Sequence, residues 1–310
     1  MGSVAFASPF VPPEWIAAHG LRPMRLRPRT GMPARAITAR GVCPFAGGVV
    51  DQLDALAKGC SNSDDAALDA VVLTTTCDQM RYIAAFLNEN RPLPLFLLNV
   101  PSTWQPPAAL HLYREELQRL GRFLVGLGGT VPRPGHLAVT MREYDADRAA
   151  ARFAWSGGET DGASQAIRLA TVGGPPASDG EFVALVERAG GRIVLDAGPY
   201  GERASPRPFD ESRLAEDPLG ELADAYFEIP DVFQRPNTRL YEWLGERIAE
   251  RGIRGMLFFR TVFCDLWHAE VQRMRQWSPV PILDIDVPGG EEGRAARTVG
   301  RIEAFLEMLQ

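Results

Sequence analysis

Two of the four cysteines in this 310-residue chain stand at equivalent points of two similar segments. Cys77 follows the apolar run LDAVVLTTT and precedes the amphipathic pattern DQMRYIAAFL, while Cys264 lies between GMLFFRTVF and DLWHAEVQRM. Each is followed by an aspartate, Asp78 or Asp265, which suits a helix start. Parallel sheets form ligand sites where strand ends lead into helix N-termini. Because the helix dipole there favours the thiolate, we expect a metal ligand or a nucleophile at both junctions.

A third cysteine, Cys43, lies in VCPFAGG on a loop ahead of a helix pattern, whereas Cys60 lies in the polar turn AKGCSNSDD. If Cys43, Cys77 and Cys264 converge, their thiolates would form a ligand set for zinc or for an iron–sulfur cube with one open corner. The alternative is that they are small buried hydrophobic residues. The absence of any C-x-x-C motif excludes a ferredoxin or a zinc ribbon.

Composition limits the possible functions. The chain is 45% hydrophobic and 23% charged with a net charge of −6, so a basic nucleic-acid-binding face is not expected. No apolar run approaches the roughly 18 residues of a membrane span, and the N-terminus does not resemble a signal peptide. We therefore expect a cytoplasmic protein. Motifs of the types GxGxxG, Walker A, GxSxG and HExxH are absent, which argues against nicotinamide, direct ATP, serine-hydrolase and zincin sites.

Strand-like and helix-like segments alternate on both sides of a Gly/Ser/Asp-rich stretch, and the strands are nearly continuous apolar runs. This pattern predicts an α/β fold with two Rossmann-like domains, parallel sheets flanked by helices, and a site in the cleft between the domains. The predicted boundaries are residues 1–131 with Cys43 and Cys77, a linker or reduced helical segment at 132–164, and residues 165–310 with Cys264.

The sequence also resembles the 2-hydroxyacyl-CoA dehydratase / benzoyl-CoA reductase family, of the 2-hydroxyglutaryl-CoA dehydratase D-component type. The segments that carry the resemblance are, in order, PPEWIAAHGLRPMRL, VCPFAGG, LDAVVLTTTCDQMR, GIRGMLFFRTVFCDLWHAE, PVPILDIDV and TVGRIEAFLEML. The family's middle helical region looks reduced in this chain, which bears on the identity of the substrate.

The resemblance implies that Cys43, Cys77 and Cys264 bind one [4Fe–4S] cluster in which one iron lacks a cysteine ligand. It further implies low-potential electron transfer to an acyl-CoA thioester, in dehydration or reduction. The implied partners are a second homologous subunit, in a heterodimer or by self-association, and an ATP-dependent iron–sulfur activator. A double-cubane cluster would need about six cysteine ligands, more than the four present.

Two alternatives remain at this point: a non-catalytic cluster-bearing partner of a longer catalytic subunit, and an α/β small-molecule binding protein without a cluster. No general acid or base can be named from the sequence. Glu14 matches a family position, and His268 could face the cleft. The arginines that could meet CoA phosphates are Arg25, Arg81, Arg239 and Arg301.

Overall fold

The chain forms two parallel sheets covered by helices. The computed structural model describes residues 2–28, 37, 41–58, 68–91, 93–155, 166–175, 179–287 and 293–310. The first half contains β1 (Ser3–Phe6), α1 (Pro13–Ala18), β2 (Arg22–Arg25), α2 (Pro44–Ala57), β3 (Leu68–Thr74), α3 (Asp78–Asn90), β4 (Leu95–Leu98), α4 (Pro107–Gly126) and α5 (Pro134–Trp155). The second half contains β5 (Ile167–Gly173), α6 (Asp179–Arg188), β6 (Gly191–Ala197), a 3-10 turn (Glu202–Ala204), α7 (Glu211–Glu216), α8 (Pro218–Phe227), α9 (Thr238–Glu250), β7 (Gly255–Thr261), α10 (Asp265–Trp277), β8 (Ile282–Val287) and α11 (Gly293–Leu309).

The two sheets have the same topology. Their strand orders are β2-β1-β3-β4 and β6-β5-β7-β8, and every pairing is parallel. The predicted α/β architecture with two parallel sheets is therefore confirmed. Because β3 and β7 hold the same interior place in their sheets, the two cysteine segments follow topologically equivalent strands.

Both faces of each sheet are buried, which explains why the strands are apolar almost throughout. Along β3, Ala70 and Val72 belong to one core, whereas Val71 and Leu73 belong to the core on the other face. The second sheet likewise separates two cores. Side chains alternate across a strand, so a strand covered on both faces needs apolar residues at successive positions.

The helices α7 and α8 were not predicted from the sequence. Eight of the ten residues of α8 are buried, so the segment lacks the polar face by which an amphipathic helix is recognised. This helix packs on α4 and α5, and its side chains enter the core of the first sheet. The core of the first sheet is therefore completed by residues that come late in the chain. The predicted domain boundaries remain a prediction.

The segment expected to be a linker or a reduced helical segment, residues 132–164, contains a long helix. The helix α5 begins at Pro134 and extends over 22 residues to Trp155. It packs on α1 and α8. Glu14 of α1 is completely buried there, and its carboxylate accepts hydrogen bonds from Arg148 of α5 and, at 2.6 Å, from the Tyr226 hydroxyl of α8. Glu14 thus joins three helices of the first core.

Candidate three-cysteine site

Each of the three predicted cysteines directly precedes a helix. Cys43 is the N-cap residue of α2, Cys77 of α3 and Cys264 of α10. The two aspartates are the first residues of α3 and α10 rather than caps, and neither cap position has a side-chain hydrogen bond. Both carboxylates place negative charge at a helix N-terminus, and Asp78 also pairs with Arg81 at 3.3 Å.

All three cysteines line one cavity of about 460 Å³. Its walls come from the loops that follow β1, β3, β5, β6 and β7, together with the segment before α9. The cavity thus lies at the carboxyl ends of strands from both sheets, where ligand sites form in open parallel sheets. Cysteines that are 34 and 187 residues apart in sequence are brought to one place by this arrangement.

The Cys43 residue is buried and Cys77 and Cys264 are half-buried, and the pKa values of Cys77 and Cys264 respond to the neighbouring cysteines. Burial raises the pKa of Cys43, and the backbone N–H groups of Phe45 and Ala46 act in the opposite direction. Burial likewise raises the pKa of the Cys77 thiol. For Cys264, burial and the nearby charges of Cys43 and Cys77 raise the pKa to about 12. A hydrogen bond from the backbone N–H of Trp267 acts in the opposite direction.

Burial therefore affects the thiol pKa values more than the helix N-terminus does. The sequence had led us to expect the reverse. Without a counter-charge these thiols stay protonated. A cationic centre that displaced the protons would find three sulfurs and several backbone N–H donors around it.

One side chain joins the segments of Cys43 and Cys77. Gln79, the second residue of α3, accepts a hydrogen bond at 2.9 Å from the backbone N–H of Cys43. Its amide nitrogen donates to the carbonyl of Gly41 at 3.3 Å. At the equivalent position of α10 stands Leu266, which has no hydrogen-bonding group. Gln79 therefore fixes the Cys43 loop against the start of α3, and nothing in α10 repeats this contact.

The two cysteine segments share the longer pattern T-x-x-C-D, with Thr74 and Thr261 at its start. The hydroxyl of Thr74 is hydrogen-bonded to that of Thr76 at 2.9 Å. Phe263 occupies the position that corresponds to Thr76, and the buried hydroxyl of Thr261 has no hydrogen-bond partner in the described part of the chain. The structure thus leaves one orphaned hydroxyl in the wall of the cavity.

The turn before Cys264 is strained. Phe263 has a φ of 63°, unusual for a residue with a bulky side chain, and the residue is 51% exposed. The backbone N–H of Cys264 donates to the carbonyl of Thr261 at 3.1 Å and closes the turn.

Gly173, the last residue of β5, has a φ of 107°, and a Cβ there would lie 2.2 Å from the carbonyl oxygen of Phe259. Only glycine allows β5 and β7 to approach so closely at their ends.

Salt bridges neutralise the arginines of the cavity wall. Arg203, 2% exposed, binds Asp231 at 2.6 Å and the carbonyl of Ala197 at 2.7 Å. Arg81 pairs with Asp78 at 3.3 Å, and Arg235 with Glu270, outside the wall, at 2.7 Å. 

The pKa of Glu270 shows how strongly its hydrogen-bond partners stabilise the carboxylate. Burial alone would raise its pKa, but hydrogen bonds from the Tyr241 hydroxyl and from Arg235 outweigh burial and hold it below its ordinary value of 4.5. The cavity wall is thus held in place by ion pairs whose charges compensate one another.

The described side chains contain no group of three or more His, Cys, Asp or Glu arranged to hold a single metal ion. A cluster of four irons places each cysteine on a different iron and therefore needs more widely spaced ligands than one shared ion does. The donor set, three cysteines with backbone N–H groups directed at their sulfurs, suits such a cluster. The orphaned hydroxyl of Thr261 provides a further polar contact in the same wall.

Of the other residues singled out from the sequence, Asp78, Arg81 and Asp265 line the cavity. His268 lies on the exposed side of α10 beside Arg260. Arg239 stacks on the Trp104 ring, and Arg301 donates to the carbonyl of Asp284. Glu14 belongs to the helical core described above, and Cys60 lies outside the described residues. Sequence reasoning missed Arg203, Asp231 and Gln79, which no motif marks.

A family model described as 2-hydroxyglutaryl-CoA dehydratase, D-component, matches residues 9–161 and 152–309. The chain belongs to this family. The resemblance seen in the motifs is therefore confirmed over nearly the whole chain, and membership of the D-component family makes this a dehydratase-type component.

No curated protein matches the chain. Among solved structures it is similar to a mutant of the laminin-binding adhesin Lmb from Streptococcus agalactiae, at 12% identity, 100% coverage of both chains and a TM-score of 0.27. It is also similar to the SBP FpvC from Pseudomonas aeruginosa in complex with Mn2+, at 11% identity, 99% and 95% coverage and a TM-score of 0.27. Such low scores carry no argument about this member of the D-component family. In the described part of the chain, no helix has the length and apolar character of a membrane span.

Proposed function

We propose that this chain is the iron–sulfur subunit of an acyl-CoA dehydratase complex, and that Cys43, Cys77 and Cys264 hold one [4Fe–4S] cluster. The observation that carries the proposal is the convergence of three helix-start cysteines on one cavity, in a chain of the D-component family. A cluster with three cysteine ligands keeps one iron open to a non-protein ligand and exchanges single electrons at low potential.

The residues around the cysteines prepare the site. Backbone N–H groups at the starts of α2, α3 and α10 are directed at the three sulfurs and compensate negative charge on them. Gln79 fixes two of the three cysteine segments relative to each other. Trp267 and Phe233 contribute aromatic surface to the wall, which limits access of water to the reacting centre.

The cavity also suits the acyl end of a thioester. It is lined mainly by apolar side chains with a few polar groups, the usual composition of a small-molecule site. We extend the proposal to the two partners of such complexes, a second homologous subunit and an ATP-dependent iron–sulfur activator that supplies the electron.

The test is an iron and sulfide count on the chain purified and reconstituted without oxygen. We expect about four irons and four sulfides per chain. Cys77→Ala should lose most of this iron, whereas Cys60→Ala, which changes the one cysteine outside the proposed ligand set, should keep it. An iron-free wild-type chain, or a Cys77→Ala variant with a full complement of iron, would contradict the proposal.

A further inference from the structure

One buried side chain in the wall of the cysteine cavity keeps an unused hydrogen-bond donor. Arg203 lies on the 3-10 turn after β6 and lines the cavity, although only 2% of it is exposed. Its Nε donates to the carbonyl of Ala197 at 2.7 Å. Its Nη1 donates to the carbonyl of Pro230 at 3.1 Å and to Asp231 at 2.6 Å. The other terminal nitrogen, Nη2, has no acceptor among the described residues.

This nitrogen is open to the cavity. Other polar atoms of the described chain are both unpartnered and closed off from solvent, among them the Nε of Arg25 and the hydroxyl of Thr261. The Nη2 of Arg203 is not one of these closed atoms, so it faces the cavity that the residue lines. In an apolar cavity a charged donor attracts an acceptor more strongly than it does in water.

The guanidinium of Arg203 is held in one orientation. It lies over the Trp267 ring, 5.4 Å from the ring centre, while its three acceptors fix the opposite edge. The turn that carries it is built closely: a Cβ at Gly201 would lie 2.1 Å from the carbonyl oxygen of Asp196, so only glycine fits. The Asp196 carboxylate in turn accepts from the Thr171 hydroxyl at 2.9 Å. Nη2 is therefore a preorganised donor.

The remaining hydrogen-bonding capacity of Arg203 indicates the class of ligand. Arginine binds phosphate or carboxylate through parallel bonds from two nitrogens, but here Nε and Nη1 are occupied. Nη2 alone can serve one oxygen atom. Asp231 also compensates the charge of Arg203, so a second anion would find no net positive charge at this point. The position therefore suits a single uncharged oxygen, such as a carbonyl, rather than an anion.

The donor lies on the Cys264 side of the cavity. Trp267, whose ring the guanidinium covers, directs its backbone N–H at the sulfur of Cys264, the residue that caps the same helix. Asp231, the ion partner of Arg203, is within electrostatic range of the same thiol. An oxygen bound to Nη2 is thus placed beside one of the three proposed cluster ligands.

We propose that Nη2 of Arg203 donates to the carbonyl oxygen of an acyl thioester in the cysteine cavity and so positions the acyl group beside Cys264. The choice of a thioester rests on the proposed function, whereas the preference for one uncharged oxygen follows from the contacts of Arg203. A charged, preorganised donor also stabilises negative charge that develops on such an oxygen during a reaction.

The test compares two CoA compounds that differ at this oxygen. Butyryl-CoA carries the carbonyl, and S-butyl-CoA, its thioether analogue, lacks it. Binding is measured by calorimetry on the full-length chain purified without oxygen, with its iron content recorded. Arg203→Lys keeps a positive charge opposite Asp231 but has no planar second nitrogen to replace Nη2. Arg251→Lys is the matched control, because Arg251 is a half-buried arginine that also binds a strand carbonyl, that of Val194, and a carboxylate, that of Glu202, away from the cavity wall.

We expect the wild-type chain to bind butyryl-CoA about 10- to 100-fold more tightly than S-butyl-CoA, the effect of one hydrogen bond from a charged group. In Arg203→Lys the two compounds should bind with similar affinity, whereas Arg251→Lys should keep the wild-type ratio. A purely structural role of Arg203 would weaken both compounds equally and leave their ratio unchanged, and that result would overturn the proposal.

A measurement on the wild-type chain keeps the test valid if Arg203→Lys does not fold. Infrared spectra of butyryl-CoA labelled at the carbonyl carbon report the strength of the hydrogen bond to that oxygen. The carbonyl stretch of the bound compound should lie at a lower frequency than in water, in the iron-loaded chain and also in the chain freed of iron. A frequency at or above the value in water in the iron-free chain would refute the donor.

The same preparations separate this proposal from the proposed function. A chain without iron whose preference for the carbonyl compound depends on Arg203 would support the donor and contradict the cluster. A chain with about four irons and the same preference in wild type and Arg203→Lys would leave the cluster in place and refute the donor. An iron-loaded chain that binds neither compound would overturn the assignment of a thioester carbonyl to Arg203.

Discussion

Replacing Gln79 by leucine, the residue at the equivalent position of α10, should loosen the Cys43 loop without altering any cysteine. The variant removes the acceptor at 2.9 Å from the backbone N–H of Cys43, a residue only 6% exposed. A buried donor left without an acceptor costs about 1–3 kcal/mol. The longer and more exposed bond to the carbonyl of Gly41 adds about 0.5 kcal/mol. We therefore expect a loss of about 2 kcal/mol.

Two measurements on the reduced, cluster-free chain check this value. Urea unfolding gives the change in the free energy of unfolding, and labelling with a thiol reagent, read by mass spectrometry, gives the opening of the Cys43 loop. A loss of about 2 kcal/mol in local stability corresponds to labelling of Cys43 that is about 30-fold faster. Gln79→Glu keeps the acceptor and should lose less than about 1 kcal/mol.

The matched control is Asn90→Leu at the far end of α3, where the lost side-chain bond is exposed. This variant should change neither the stability by more than about 0.5 kcal/mol nor the labelling of Cys43. If Gln79→Leu behaves like Asn90→Leu in both measurements, the amide does not fix the Cys43 segment and the reasoning is wrong.

Three further predictions concern the cavity wall and an ion pair that one of its arginines forms. Thr74→Val should lower the free energy of unfolding in urea by about 1 kcal/mol because it breaks the hydrogen bond between two hydroxyls. Thr261→Val removes a hydroxyl without a partner and should be neutral or stabilising. Equal losses in the two variants would show that the Thr261 hydroxyl does have a partner. Gly173→Ala should cost about 3 kcal/mol or more, since its Cβ would meet the carbonyl of Phe259 at 2.2 Å and φ is 107°; a wild-type urea midpoint would refute this. The native pKa of Glu270 lies below 4.5, so the unfolded chain binds its proton first and stability falls as pH drops below about 4.5. Glu270→Gln should flatten that loss between about pH 5 and pH 3, measured by urea unfolding at each pH; an unchanged slope would argue against the pairing.

The sheets could be predicted from the sequence because the burial of their strands appears as apolar residues at successive positions. LDAVVLTTT and GMLFFRTVF are apolar at successive positions, which only a strand buried on both faces requires, and β3 and β7 are such strands. The same reasoning failed for α8, since a helix buried on nearly all sides has no polar stripe to reveal its period. Its place on the first core depends on contacts with α4 and α5, which are distant in sequence.

For the cysteines, too, some properties follow from local sequence and others only from the fold. Their types and their positions before helices follow from local sequence, because strand ends and helix starts are set within a few residues. Local sequence also suggested thiolates, and there the tertiary structure decided otherwise. Burial raises the pKa of all three thiols, and the charges of neighbouring cysteines act in the same direction on Cys77 and Cys264. Whether three thiols from two halves meet depends on how the halves pack, and no residue pattern encodes that directly.

The sequence by itself determined two α/β halves and three candidate cysteines. Only the tertiary structure decided that strand ends of both sheets share one cavity, that Gln79 joins two cysteine segments, and that the Thr261 hydroxyl has no hydrogen-bond partner among the described residues. The physical reason is range: hydrophobic period and helix capping act over neighbouring residues, whereas desolvation, charge pairing and unsatisfied hydrogen bonds depend on which distant groups the fold brings into contact.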